Sequence, residues 1–265
     1  MDDGLSAPGT WERGVDSGGV RWSPEGGVAM TDGIAPAEPV RPASDRVRVR
    51  RKPDRGRYDR ATIDAILDAA LVGHVGWVLD GQPYVTPTAI WRTGDRLYWH
   101  GSVGSRMVRA TKAGAPVCIT ATIVDGLVLA RSGTDHSMNY RSVMVLGSAH
   151  AVETEAETLD ALEAFVEHLY PGRWAELRPA TSQEAMATTV LWLDLAEASA
   201  KIRADGVHEE PGHETWPAWA GVVPVGLAAG APEPDEHVPA GVTPPAYLPR
   251  AGERLDRGLR VLTGS

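Results

Sequence analysis

Cysteine is almost missing from this chain of 265 residues. Cys118 stands alone, which excludes an intrachain disulfide, a C-x-x-C redox pair and any zinc site built on two thiolates. It lies in the apolar run PVCITATIV at 116–124, where a thiol is expected to be buried rather than poised as a thiolate. Long hydrophobic runs are missing too, so no segment reads as a membrane span. The opening residues MDDG carry neither a basic n-region nor an apolar h-region, and the expectation is a soluble, cytoplasmic protein. Positive charge is in deficit. A net charge of -9 excludes a general nucleic-acid binder, which needs a basic face against phosphates. Neither H-E-x-x-H nor a metal-spaced His/Cys cluster occurs, and no metal site is expected.

What the chain does have is strongly segmented. Residues 1–45 are rich in Gly, Pro, Ala and Asp without periodicity, and are expected to be disordered because they bury too little apolar surface to offset ordering entropy. Residues 46–57 form a basic arm, with Arg46, Arg48, Arg50, Arg51, Lys52, Arg55 and Arg57, read as solvated and left out of the site. A domain over 58–205 follows, then a Pro/Gly-rich extended tail over 206–265 with Trp216, Trp219, Val222 and Val223 as apolar anchors.

Within the domain, Ile63, Ile66, Leu67, Ala70 and Leu71 recur at helical spacing after a candidate N-cap, Asp59. Residues 73–79 and 83–91 read as a hairpin around Asp80-Gly81, since Asp-Gly supplies the positive φ of a two-residue turn. A third strand covers 96–100, a short helix 104–114, and strands 116–124 and 127–131 flank a second Asp-Gly turn at 125–126. A long strand with a bulge at Gly147 spans 140–152, a helix spans 155–169, and strands 189–195 and 199–203 close the sheet. Pro87, which cannot donate to a ladder, marks an edge or bulge.

The stretch 96–106, RLYWHGSVGSR, carries the most chemistry. A strand that runs through small residues into a helix offers backbone N–H groups, hydroxyls and a guanidinium to a phosphate. It has neither G-x-x-x-x-G-K-[ST] nor G-x-G-x-x-G, so a P-loop and a dinucleotide fold are poor fits. Elsewhere, Asp135, His136 and Ser137 are consecutive and cannot form a triad, because nucleophile, base and orienter must converge in space. A hydrolase is therefore rejected.

HVGWV at 74–78, TPTAI at 86–90, LYWHGS at 97–102 with Ser105-Arg106, DGLVLAR at 125–131 and HSMNYRS at 136–142 follow one another in an order that resembles the pyridoxamine-phosphate oxidase-like, FMN-binding split-barrel superfamily. The flavin-nucleotide-binding branch related to nitroimidazole-resistance reductases looks closest. The resemblance covers about 58–203. It implies a β-rich α+β fold, a split β-barrel with peripheral helices and extended termini. It also implies non-covalent FMN at the interface of a homodimer, and oxidoreductase chemistry on a small organic substrate by hydride transfer through flavin N5.

The cofactor-binding residues it implies are Thr88, Ala89 and Arg92 on the second strand, His100, Gly101 and Ser102 at the end of the third, and Ser105 and Arg106 in the phosphate turn. Asn139 and Arg141 would face the flavin of the other subunit. Met107 stands where relatives place a lysine, and Arg109, one turn on, can supply the lost charge. His74 and His136 are substrate-side candidates, and no catalytic residue is named. Two alternatives stay open: the same fold with a deazaflavin coenzyme, its acidic tail on the basic arm, or with haem on His74 or His136; and a protein that binds a flavin nucleotide without turnover.

Overall fold

The computed structural model describes residues 40–253 and Leu255. The expected disorder of 1–45 lies outside the described residues as far as residue 39, as does the end of the tail. Among the described residues the first strand is β1 (Gly56–Arg57), after a 3-10 turn at Pro53–Arg55, and the first α-helix is α1 (Arg60–Ala69), whose N-cap Asp59 accepts a hydrogen bond from the Thr62 amide. Strands β2 (Val72–Leu79) and β3 (Gln82–Thr93) form the expected hairpin, with φ of 51° at Asp80 and 76° at Gly81. Strand β4 (Arg96–Ser102), helix α2 (Arg106–Lys112) and strands β5 (Pro116–Leu129), β6 (Ser137–Ser148) and β7 (His150–Ala151) follow. Helix α3 (Glu155–Leu169) starts with a capping box between Thr154 and Glu157. Helix α4 (Ser182–Ala187), strands β8 (Thr188–Asp194) and β9 (Ala198–Arg203) and, in the tail, β10 (Gly221–Pro224) complete the order.

The strands make one antiparallel sheet in the order β1-β9-β6-β5-β2-β3-β4-β8-β7, with β10 on the far half of β5. It curls so that β6 returns to the β8–β9 connection, where the Leu146 amide donates to the Glu197 carbonyl at 2.9 Å. Alternate residues of each strand point inward. Val75, Leu97, Trp99, Ile119, Val145, Leu191 and Leu193 fill the interior, and Ile63, Ile66 and Leu67 of α1 close it. This is the split barrel. A second, smaller core of Trp91, Val190 and Ala161 joins the outer side of β3 and β8 to α3.

Three local expectations are corrected. Asp125-Gly126 is not a hairpin turn: β5 runs through it, paired to β6 on both sides, with a bulge between Val124 and Gly126. Gly147 is not bulged, since it stays in register with Val117; the break comes after Ser148, where the chain leaves β5 and β7 pairs with β8. The tail contributes a strand, which local sequence does not announce. Gly126 of β5 allows its close approach: a Cβ there would lie 2.9 Å from Val222 Cγ1 of β10.

Candidate functional site

Strand β3 divides its partners. Residues 82–89 pair with β2, whereas only Ile90–Thr93 pair with β4. Beyond Trp99, β4 bends away and continues its ladder with β8 alone, His100 opposite Val190 and Ser102 opposite Thr188. The edge of β3 from Thr86 to Ala89 therefore faces no strand on that side among the described residues. Pro87, lacking an N–H, sits in this open stretch, where a missing donor costs least. Such an edge leaves main-chain donors and acceptors for a planar ligand.

Helix α2 lies against the end of β4. A Cβ on Gly101 would come within 2.8 Å of Val108 Cγ2, so only glycine permits that approach. Between β4 and α2 the Ser105 amide donates to the Ser102 carbonyl at 2.9 Å, and the Gly104 amide to Ser102 Oγ at 3.4 Å. Ser105 is the N-cap of α2, yet its side chain makes no capping hydrogen bond. Among the described residues its hydroxyl has no hydrogen-bond partner. The Arg106 guanidinium lies 5.2 Å from the Tyr84 ring centroid. Tyr84 stacks on Trp77 at 4.7 Å, and Trp77 Nε1 donates to Thr86 Oγ1 at 3.2 Å. Ser105 and Arg106 are thereby brought to the open edge that carries Thr86, Thr88 and Ala89.

Sequence reasoning missed Tyr84 and Trp77. The alternation of β3, which puts Tyr84, Thr86 and Thr88 on one face, was the available signal. Met107 is 4% exposed in the main core, so a lysine at this position would face apolar side chains. Arg109 is exposed one turn along.

Other predicted residues lie elsewhere. Arg92 grips Asp68 of α1 with two hydrogen bonds, at 3.0 and 2.6 Å, and also donates to the Gly94 carbonyl. His100 turns its ring under α3, 5.7 Å from Trp91 and 5.2 Å from Phe165. Its Nδ1 is buried without a partner, and burial pushes its pKa below the usual 6.5. Asn139 donates to the Asp205 carbonyl at 3.0 Å and accepts from Arg203. Arg141, 5% exposed, makes a two-pronged pair with Asp125 at 2.9 and 2.8 Å. Arg92, Asn139 and Arg141 thus hold protein partners, and His100 belongs to the smaller core.

The two substrate-side histidines are both exposed. His136 Nδ1 is 2.9 Å from the Ser132 carbonyl, which leaves Nε2 facing out. His74 stands on the outer face of the sheet, across from Pro87 on β3 and Thr120 on β5. Val72 and Val78 of its own strand and Val85 of β3 share that face at 46%, 48% and 66% exposure. Cys118 shares it too, half-buried, with burial raising its thiol pKa, so a reactive thiolate is not its role.

The family model for pyridoxamine 5'-phosphate oxidase matches residues 59–202, which span every strand from β2 to β8 and nearly all of β9. The chain belongs to the pyridoxamine 5'-phosphate oxidase family. No curated protein matches it. Among solved structures of this fold, the flavocytochrome Anf3 from Azotobacter vinelandii is 42% identical, with a TM-score of 0.75 over 80% of this chain and 99% of that one. The FAD and haem binding protein from Mycobacterium smegmatis is 33% identical, with a TM-score of 0.72 over 76% of this chain and 98% of its own. Both of these proteins are named for a flavin together with a haem or cytochrome. No helix among the described residues is long and apolar enough to cross a membrane.

Proposed function

We propose that this chain is a flavin-dependent redox protein that also carries haem. The observation behind the flavin assignment is the convergence of the unpaired edge of β3 with the uncommitted hydroxyl of Ser105 and the guanidinium of Arg106. Those groups suit a flat heteroaromatic ring with a phosphate at one end. Thr88 and Ala89 are small enough to admit the ring along the strand, and Arg106 supplies the charge for the phosphate. Bound there, a flavin supplies hydride and single-electron chemistry, and the protein supplies position and electrostatics. Thr86, Thr88, Ala89, Ser105 and Arg106 include no carboxylate or imidazole. The site is built to hold a cofactor, with proton transfer left to other groups or to solvent.

The haem assignment rests on His74. It is an exposed imidazole on an apolar sheet face, beside Gly76 and the exposed valines, with no hydrogen-bond partner among the described residues. An apolar macrocycle fits such a face, and His74 Nε2 or Nδ1 is a suitable axial donor. The flavocytochrome and the FAD and haem binding protein support this pairing, and the second of them favours FAD over the FMN expected from sequence. The same apolar face is the surface through which we propose that two copies pair. With both groups bound, the β3 edge with Ser105 and Arg106 would hold a two-electron cofactor and His74 a one-electron cofactor in the same chain.

The test is the absorption spectrum of the purified full-length chain, followed by release of its chromophores. Flavin bands with a Soret band, FAD in the released fraction and loss of the Soret band in His74→Ala are the expected results. A protein that retains neither chromophore and takes up neither when supplied overturns the proposal. FMN alone returns it to a simple flavin oxidoreductase.

A further inference from the structure

The basic arm is not solvated along its length. Val47 is 1% exposed, Ser44 Oγ donates to Glu197 at 2.5 Å, and the Val49 amide donates to the Tyr58 hydroxyl at 2.8 Å. These three anchors lay the arm over the outer faces of β5, β6 and β9 and roof a cavity of about 410 Å³. Its cations are Arg48, Arg50, Arg51 and Lys201, and Thr120 and Ser199 are among the hydroxyls of its floor; among the described residues no carboxylate lines it. Arg48 and Arg50 already pair with Asp45, Arg48 at 3.0 Å. Arg51 and Lys201 have no ion pair among the described residues. The Ser199 hydroxyl, in a residue 5% exposed, likewise has no partner there. Uncommitted cations and hydroxyls in one concave site are an anion-binding set.

Register connects this cavity to His74. One row of paired residues runs His74, Thr120, Met144, Ser199 across four strands. The cavity therefore begins at Thr120, one strand from His74 and about 5 Å away, and extends over the next two strands. A ligand held on the His74 face carries any anionic edge directed toward β5 straight into it. We infer that the cavity receives the two propionate carboxylates of the haem, with Arg51 and Lys201 as their partners; this rests on the assignment of haem to His74. A free phosphate has the same anionic chemistry, and the experiment separates the two sources.

The full-length chain, depleted of haem, is titrated with haem and with haem dimethyl ester, whose carboxylates are blocked, following the Soret band. The same titrations are made on Arg51→Gln/Lys201→Gln and on His74→Ala. Arg51 is exposed and Lys201 half-buried, so glutamine is tolerated, and thermal unfolding verifies the fold. Wild-type protein is expected to bind haem about tenfold or more tightly than the diester, the range of one or two charge-assisted hydrogen bonds. The double variant is expected to bind the two alike. Equal affinity in the wild type, or a preference that survives in the double variant, overturns the inference. Binding of inorganic phosphate that the double variant loses, with haem and diester indistinguishable in the wild type, gives the cavity to a free phosphate and also overturns it. Unchanged haem binding by His74→Ala overturns the axial assignment instead, and so distinguishes that failure from failure of the cavity.

Discussion

Arginines that look alike in the sequence separate by what their guanidinium already holds. Among the described residues Arg106 lies only over the face of Tyr84, whereas Arg141 is buried against Asp125 and the half-buried Arg92 holds Asp68. Arg106→Ala is expected to weaken flavin binding by about tenfold to a hundredfold, the worth of one or two charge-assisted contacts, with little change in unfolding midpoint. Fluorescence titration of the flavin-free protein measures it. Arg141→Ala is expected to do the opposite, sparing flavin affinity and costing about 1–3 kcal/mol of stability by leaving the partly exposed Asp125 without its partner. Urea denaturation reads this loss. His100 gives a pH prediction. Its folded pKa lies below the unfolded 6.5, so the unfolded chain takes up a proton first. The stability it contributes is complete above pH 6.5 and falls as pH drops below that value toward the folded pKa. His100→Phe, which keeps a ring between Trp91 and Phe165, is expected to flatten stability against pH in that window. An unaltered slope excludes His100 as the source.

At the scale of elements, the chain was legible wherever geometry is local. The spacing of Ile63, Ile66 and Leu67 after Asp59 located α1, and Asp80-Gly81 located the first hairpin, because a cap and a primed turn depend on a few adjacent residues. The turn from Ser102 into α2, which carries Ser105 and Arg106, is local in the same way. Asp125-Gly126 shows where this ends: the dipeptide is identical in kind, but Arg141 on the next strand holds Asp125 and Val222 of the tail packs on Gly126. Long-range partners decided between turn and bulge, and no window of local sequence contains them. The arginine partners were hidden likewise, since Asp68 and Asp125 meet Arg92 and Arg141 only after folding. The join of β4 to α2 yields a prediction at this scale. Gly101→Ala places a methyl 2.8 Å from Val108 Cγ2, so α2 must shift from β4. A loss of about 1–3 kcal/mol is expected, the usual cost of overpacking, with weaker flavin binding because Ser105 and Arg106 move with the helix. Val108→Ala in the same chain, by making room, is expected to restore part of the flavin affinity.

For the whole molecule, the arrangement of apolar surface is the feature that a single folded chain leaves unsatisfied. Val72, Val78 and Val85 stand at 46%, 48% and 66% exposure on the face that also carries His74. Alternation normally gives the outer face of an antiparallel sheet to polar residues, and contiguous exposed apolar surface marks an interaction site. The flavin edge on β3 and the haem candidate on β2 belong to neighbouring strands, so an assembly through this face would bring both cofactor sites near the junction of two copies. Val85 is the residue to test, because its exposure means a charge there costs the isolated chain little, while at a packed interface the same charge must be desolvated without a partner. Val85→Arg is therefore expected to shift the proposed dimer to monomer in sedimentation equilibrium, with the unfolding transition of the monomer intact. It is also expected to release haem sooner than flavin on dilution, since the His74 face loses its cover while the Ser105 and Arg106 contacts lie within one chain. A dimer that persists in this variant, or flavin lost before haem, would place the pairing surface elsewhere on the molecule.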